Sequence, residues 1–306
     1  MLDPSELYEL SADVPVLDRP VLVQALGGFI DAGGAARLAR EHLIAASQSR
    51  VLATFDVDRL FDYRARRPVM LFVEDHWESY DEPSLVLHLM HDAAGTPYLL
   101  LAGPEPDVQW ERFVAAVRQL VDQLGVRLTV GFNAIPMGVP HTRPVGVTAH
   151  ATRRELTAGY EPWVHTVQVP ASAGHLLEYR LGQADADAIG FAVHVPHYVA
   201  QLDYPAAAAV LLDNVAQVAD LVLPTDALHG AADKVRADID EQVRESSEVA
   251  AVVQALETQY DTYVGARGRG GLLAEDGARL PSADELGAEL ERFLAERTHR
   301  GDQHEG

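Results

Sequence analysis

Cysteine is absent from this 306-residue chain, and Lys234 is its only lysine. Without thiols, the chain has no disulfides, cysteine zinc sites or thiol catalysis, and a single lysine excludes most chemistry that needs an amine. Positive charge is scarce as well, because 24 basic residues face 46 acidic ones, for a formal net charge of −22. Nucleic acids and anionic membranes attract lysine and arginine, so we expect neither as a partner.

Patterns that direct a chain to or through a membrane are also missing. The first residues, Met1–Glu6, have neither a basic segment nor an apolar one, unlike a signal peptide. The most apolar long stretch, 205–223, contains Asp213 and Asp220, and charges at this spacing are costly at a bilayer centre. We therefore expect a cytoplasmic protein.

Apolar, β-branched runs alternate with segments of helical periodicity through the first 225 residues. Continuous apolar strands separated by helices are typical of a sheet that is covered on both faces. The predicted fold class is α/β, with a mostly parallel central sheet and helices on both faces. The predicted strands are 21–26, 51–55, 69–73, 85–89, 98–102, 128–132, 145–149 and 189–195, and the predicted helices are 32–46, 107–124, 172–181 and 205–221.

The last quarter of the chain has a different pattern, which predicts a helical segment at 226–298 after a core domain at 1–225. Residues 226–262 have no strand pattern and almost no glycine or proline, and their apolar positions recur at helical spacing. The other predicted parts of this region are a bend near Ser246 and Ser247, a flexible glycine link at 265–271, a last helix at Ser282–Arg297 and a disordered tail at 299–306.

The apolar stripe of this helical arm must be buried somewhere, because burying each aliphatic side chain stabilises by about 1.5–3 kcal/mol. One destination is the protein's own core or the last helix. The other is a partner subunit or client protein. The candidate partner-binding residues are Ile239, Val243, Val253 and Leu256.

A glycine-rich loop follows the first predicted strand and opens the first predicted helix. Backbone N–H groups at a helix N-terminus favour anions, so the loop is a candidate ligand site. It matches neither a dinucleotide-binding fingerprint nor a phosphate-binding P-loop, and its aspartate would repel phosphate. The alternative is a structural turn in which that aspartate caps the helix. The candidate residues are Gly27, Gly28, Asp31, Gly33 and Gly34.

A second candidate loop, 133–144, leaves a predicted strand and contains three prolines. Prolines stiffen the backbone, so His141, Thr142 and Arg143 are presented at low entropic cost. Strand ends are where α/β sheets bind ligands. The other interpretation is a rigid turn whose polar groups meet water or a partner subunit.

Two further segments carry candidate ligand-binding residues. His194 and His197 end a predicted strand, but their spacing of three and the intervening proline do not fit a helical zinc pair. Ser172 is the predicted N-cap of its helix rather than a nucleophile, and Glu178 in that helix is a surface or pocket carboxylate. We predict no metal site and no cofactor, and the catalytic residues stay unassigned.

Several of these segments together resemble the proteasome assembly chaperone 2 family, in the branch found among GC-rich Gram-positive bacteria. The resemblance implies an α/β core similar to nucleoside phosphorylases and hydrolases, an added helical segment and self-association. It also implies a non-enzymatic role in holding protein subunits during the assembly of a larger complex. The resembling stretches are 28–35, 138–144, 169–174, 190–198 and 256–261.

The leading functional hypothesis is a protein-binding member of this family that forms a dimer or trimer, with the apolar segment 139–147 as the predicted contact surface. The alternative is an enzyme that processes nucleosides or phosphorylated metabolites, with the glycine loop and the His141–Arg143 loop converging at the strand ends. Proteasome-docking proteins often end with a hydrophobic residue, tyrosine and any residue. The final His304-Glu305-Gly306 differs from that pattern, which makes a proteasome role an open question.

Overall fold

A computed structural model of the chain describes residues 2–163 and 166–268. The predicted last helix, the tail and the end of the glycine link lie outside the described residues. The strands are β1 (Tyr8–Leu10), β2 (Val21–Gly27), β3 (Arg50–Phe55), β4 (Met70–Val73), β5 (His76–Tyr80), β6 (Val86–His91), β7 (Pro97–Pro104), β8 (Leu128–Met137), β9 (Val147–Ala151) and β10 (Ala188–Pro196). The helices are α1 (Ala35–Ala46), α2 (Val57–Leu60), α3 (Trp110–Gln123), α4 (Ala173–Gly182), α5 (Pro205–Ala219), α6 (Asp226–Glu245) and α7 (Ser247–Gly268).

Eight of these strands form one sheet in the order β1-β3-β6-β7-β2-β8-β10-β9. The four central strands, β7, β2, β8 and β10, are parallel to one another. The flanking strands β6, β3 and β1 on one side and β9 on the other are antiparallel to their neighbours. The predicted α/β architecture is thus confirmed, with parallel pairing at the centre of the sheet.

Each face of the sheet is covered by helices. Helices α1, α5 and α6 contribute to the apolar cluster on one face, where Val21, Val23 and Ala25 of β2 point. Helices α3 and α4 contribute to the cluster on the other face, where Leu22 and Leu26 point. Strand β2 is therefore buried on both sides, which explains why its sequence is a continuous apolar run.

One predicted strand lies outside the central sheet. Residues 69–73 were expected among its strands, but β4 pairs only with β5, in a separate two-stranded hairpin. Every residue of these two strands is exposed. An apolar run has the same sequence pattern whether it is buried in a core or in an interface. The pattern therefore predicted the strand correctly but not the sheet to which it belongs.

The helical arm follows the predicted course with one difference. Helix α6 ends at Glu245, Ser246 has extended backbone angles and α7 begins at Ser247, so the predicted bend is confirmed. The first residues of the predicted glycine link are helical instead, because α7 continues to Gly268. No described helix has both the length and the apolar character needed to cross a membrane.

Removing the Ile239 side chain should destabilise the protein strongly. Ile239 is 6% exposed and belongs to the cluster formed with α1 and α5. Ile239→Ala is expected to lower the free energy of unfolding by about 2–5 kcal/mol, because it leaves a cavity. Chemical denaturation measures this loss. Val252→Ala on α7 is the matched control, since Val252 is 48% exposed, and an equal effect in both variants would contradict the internal packing of α6.

Candidate functional site

The aspartate of the glycine loop acts on its own helix. Asp31 accepts hydrogen bonds from the backbone N–H groups of Ala36 and Arg37, at 2.8 and 2.9 Å. These N–H groups belong to the first turn of α1, which is the position that a bound anion would take. The geometry therefore corresponds to the capping alternative, and a carboxylate of the chain already satisfies this end of α1.

The glycines of the loop are required by close packing. Gly33 and Gly34 both have positive φ, at 66° and 55°, a region that other residues rarely enter. A Cβ on Gly33 would lie 2.7 Å from the Cβ of Tyr204. The N–H of Gly33 donates to Ala200 O, and its carbonyl accepts from the N–H of Tyr204. The loop is thus held against the turn that follows β10.

His141 links the second candidate loop to both the core and the arm. Its backbone N–H donates to the Tyr198 hydroxyl at 2.7 Å, and its Nδ1 lies 2.6 Å from the same oxygen. Its Nε2 lies 3.0 Å from Oδ1 of Asp240 on α6. A neutral imidazole satisfies every group if the tyrosine hydroxyl donates to Nδ1 and Nε2–H donates to the carboxylate. His141 as a whole is only 5% exposed, so its ring is a buried link between the loop, the core and α6.

Thr142 and Arg143 extend this connection to α7. The Thr142 hydroxyl donates to Glu257. Arg143 binds Asp261 through two parallel hydrogen bonds, from Nε at 2.8 Å and from Nη2 at 2.7 Å. Nη1 of Arg143 also lies 3.3 Å from Glu257 Oε1.

We call these contacts of residues 141–143 with Asp240, Glu257 and Asp261 the clasp. Hydrogen bonding to Arg143 is the largest cause that lowers the pKa of Asp261 below its usual range. The reciprocal bonds raise the pKa of Arg143, so both groups stay charged at neutral pH. The clasp therefore uses the polar groups that were predicted to meet a ligand.

Aromatic rings add to the attachment of α7. The rings of Trp163 and Tyr263 stack with centroids 5.2 Å apart, and Tyr260 lies 6.2 Å from Trp163. The rings of His194 and Trp163 are nearly perpendicular, with their centroids 4.7 Å apart. His194 is fully buried, and its Nε2 is 2.8 Å from the Thr148 hydroxyl. This histidine therefore packs beneath the arm rather than facing an open site.

His197 does not join His194 in a common cluster. It begins the turn after β10, and burial lowers the pKa of its imidazole. Within residues 2–163 and 166–268, no three histidine or carboxylate side chains are grouped so that they could hold a metal ion.

Helix α4 begins as predicted, with the Ser172 hydroxyl accepting a hydrogen bond from the backbone N–H of His175 at 3.1 Å. Glu178 accepts from Nδ1 of His150 on the edge strand β9, at 2.9 Å. The His150 and His175 rings meet edge to face at 5.6 Å, and burial lowers the pKa of His175. Glu178 thus ties α4 to the edge of the sheet.

The candidate partner-binding residues of the arm are turned toward this chain. Ile239, Val253 and Leu256 are 5–6% exposed, and Val243 is partly buried against the α1, α5 and α6 cluster. Side chains that are already covered cannot offer an apolar surface to another protein. These four side chains therefore pack within this chain.

The two candidate loops do meet, but not around a free phosphate site. Gly33 contacts Tyr204 and His141 bonds to Tyr198, so both loops reach the turn after β10. Their charged groups are already engaged, Asp31 with α1 and Arg143 with α7. The acidic partners of the clasp are not recognisable from the sequence, because their charges resemble those of an ordinary solvated helix face.

The sequence analysis also missed two buried polar side chains, Gln24 and Glu105. Gln24 interrupts the apolar run of β2, and Glu105 follows β7. A polar residue inside an apolar strand is the signal that would have identified the first of them.

Comparison with known proteins gives the family. Residues 25–243 match the model of the PAC2 family. The chain belongs to the PAC2 family. No curated protein sequence matches it.

Three solved structures are similar to this chain. A Mycobacterium tuberculosis protein of unknown function, Rv2714, is 52% identical, with 86% of this chain and 91% of that chain covered at a TM-score of 0.83. A Corynebacterium glutamicum protein of unknown function is 42% identical, with 85% and 98% covered at 0.82. A Mycobacterium tuberculosis proteasome-assembly chaperone homologue, Rv2125, is 28% identical, with 76% and 99% covered at 0.70.

The PAC2 match stops at residue 243, close to the end of α6. It includes Asp240 and the 141–143 loop, whereas Glu257 and Asp261 lie beyond it on α7. The clasp therefore joins the PAC2 part of the chain to the helix that follows it.

Breaking the ion pair of the clasp should loosen α7 without unfolding the core. Arg143→Met is expected to speed amide hydrogen exchange in α7, because it removes the bonds to both Glu257 and Asp261. The melting temperature should change little, since partly exposed ion pairs contribute about 0–1 kcal/mol. Arg153→Met is the matched control, because Arg153 makes a similar two-bond pair with Asp187 away from α7. Unchanged exchange in α7 would show that the clasp does not hold the helix.

The clasp should also be sensitive to acid. The pKa of Asp261 is lower in the folded state than in the unfolded state. Its pairing with Arg143 therefore stabilises the folded state fully at a pH above the unfolded-state pKa of about 3.9. This contribution to stability is lost as the pH falls through the folded-state pKa of Asp261. In the wild type, we expect the protection of α7 against hydrogen exchange, corrected for intrinsic exchange rates, to decrease once the pH is below about 4. Asp261→Asn should show low protection already at neutral pH, and an acid response equal to the wild type would contradict this assignment.

Proposed function

We propose that this PAC2 protein is a non-enzymatic, self-associating protein that binds protein subunits of a larger complex. The observation that carries the proposal is the exposed apolar hairpin formed by β4 and β5. A two-stranded hairpin is at best marginally stable alone in water, so an apolar one requires a covering surface.

The hairpin exposes large apolar side chains along its whole length. Their exposed fractions run from 36% for Val73 to 69% for Val69. The rings of Phe72 and Trp77 meet edge to face at 5.1 Å and remain more than half exposed. Contiguous exposed apolar surface of this kind marks sites of protein association. The apolar residues concerned are Val69, Met70, Leu71, Phe72, Val73, Trp77 and Tyr80.

A second copy of the chain is the occupant that we propose for this surface. Neither outer edge of the hairpin pairs with another described strand, so backbone groups as well as side chains are available to a neighbouring copy. Closed symmetry, as in a dimer or trimer, covers such a surface without forming open chains. The segment 139–147 is a poorer surface than expected, since Val139 is 6% exposed and residues 141–143 form the clasp.

The proposed class of client rests on a relative that has a functional description. Rv2125 is described as a proteasome-assembly chaperone homologue, and it is 28% identical over 76% of this chain. This supports a chaperone-like role toward protein subunits.

The alternative, an enzyme acting on nucleosides or phosphorylated metabolites, has less support from the geometry. It required anion-binding groups at the glycine loop and at Arg143. Asp31 places a carboxylate at the first, and two carboxylates pair with the second. A phosphate group bound at the glycine loop or at Arg143 would therefore meet a carboxylate of the chain.

Polar substitution of the hairpin should abolish self-association. The double variant Phe72→Ser, Trp77→Ser removes two exposed rings. Each subunit should keep its melting temperature, while the mass of the particle in solution falls to that of one subunit, about 33.3 kDa. Light scattering coupled to size exclusion measures the mass. Val167→Ser with Val169→Ser is the matched control, because both valines are 59–64% exposed outside the hairpin. A wild-type mass of one subunit at micromolar concentration would refute self-association.

The same variants test protein binding. Tagged wild-type protein captured from native lysate should retain defined protein subunits that the hairpin variant recovers poorly and the control variant recovers fully. Capture of nothing beyond the protein itself, across growth conditions, would count against the chaperone-like role while leaving the self-association result intact.

A further inference from the structure

Two buried polar side chains converge on the first turn of α4. Gln24 lies in the central strand β2 and is 8% exposed. Its Nε2 is 2.7 Å from the position that a Cβ on Gly174 would occupy, and its Oε1 is 2.8 Å from the corresponding position on Gly131. Glycine at both places is what admits the amide. Within the part of the chain that the structure describes, the Gln24 amide makes no hydrogen bond.

Glu105 approaches the same turn from the end of β7. It is 4% exposed, and its Oε1 accepts a hydrogen bond from the backbone N–H of Ala173 at 2.5 Å. Its Oε2 lies 3.2 Å from the position that a Cβ on Gly28 would occupy, so a larger residue there would crowd that oxygen. Burial is the largest cause that raises the pKa of this carboxyl group.

The strands part next to these two groups. Pairing between β2 and β8 ends at Gln24 opposite Gly131. Asn133 lies two residues further along β8, on the same face of the sheet, and is partly exposed. Helix α1 follows β2 on one face, whereas α3 follows β7 on the other. Strand ends whose connections leave on opposite faces form the crevice where α/β sheets bind ligands.

Polar groups at such positions usually have a hydrogen-bonding partner, and where the protein supplies none, the partner is water or a ligand. The positive end of α4 would favour an anion, but Glu105 already brings a carboxylate to it. A ligand here should therefore carry no negative charge, donate to Glu105 Oε2, and both donate to and accept from the Gln24 amide. A primary carboxamide meets all of these conditions.

We infer that the crevice between Gln24, Glu105 and the first turn of α4 binds the primary carboxamide group of a small ligand. This site is separate from the hairpin and from the clasp. It does not depend on self-association or on protein binding.

Acetamide and acetate are suitable probes, because they share a shape and differ in charge and in hydrogen-bond donors. In the full-length ¹⁵N-labelled protein, acetamide should shift the Gln24 side-chain amide signal and the Ala173 and Gly174 backbone signals in a saturable manner. Acetate at matched concentrations should shift them less. The Gln24 signal is assigned by its disappearance in Gln24→Leu.

Variants separate binding from packing. Gln24→Leu should abolish the acetamide-dependent shifts at Ala173 and Gly174, while Gln201→Leu, at an exposed position, should leave them unchanged. Glu105→Gln keeps an acceptor for the Ala173 N–H and removes the negative charge, so acetate should be discriminated against less than in the wild type. Melting curves and dispersed amide spectra establish that each variant is folded.

Three results would overturn the inference. The absence of any saturable acetamide shift in the wild type would mean that water alone satisfies Gln24 and Glu105. Equal acetamide shifts in the wild type and in Gln24→Leu would place the binding elsewhere. Tighter binding of acetate than of acetamide would make this an anion site at α4.

Discussion

Nine consecutive residue pairs hold β8 and β10 in parallel register, from Thr129 opposite Ala188 to Met137 opposite Pro196. Because side chains alternate between faces along a strand, a slip of one residue would move every side chain of β10 to the opposite face. The register also brings the loop after β8 and the turn after β10 to one edge of the sheet. His141 meets Tyr198 there, and the attachment of the helical arm depends on that meeting.

Polar and apolar groups are distributed in an unusual way between the inside and the outside of this protein. The stiff loop at 141–143, which has the chemistry of a ligand-binding loop, is used to bind α6 and α7. Strand β4 has the composition of a buried strand, yet every residue of the hairpin that it forms with β5 is exposed. The surface that is most suited to another protein is thus a strand pair, whereas the helical arm is largely committed to its own chain.

Gln24 and Glu105 stand apart from the rest of the fold because they break a local rule. Strand β2 is otherwise apolar on both faces, and a buried amide without a partner lowers stability. Proteins tolerate such violations mainly at functional positions, where the loss is offset elsewhere. Here the apolar clusters on both faces of the sheet supply the offset.

The sequence by itself determined the features that depend on neighbours along the chain. The α/β class, most strands and helices, the bend at Ser246 and the Ser172 cap were predictable, because periodicity and capping are local. Only the tertiary structure decided which groups meet. The clasp joins residues 99–118 positions apart, and nothing in a helix's charge pattern distinguishes a carboxylate that meets an arginine from one that meets water. The hairpin's position outside the sheet was equally hidden, since an apolar strand requires burial but does not specify what buries it.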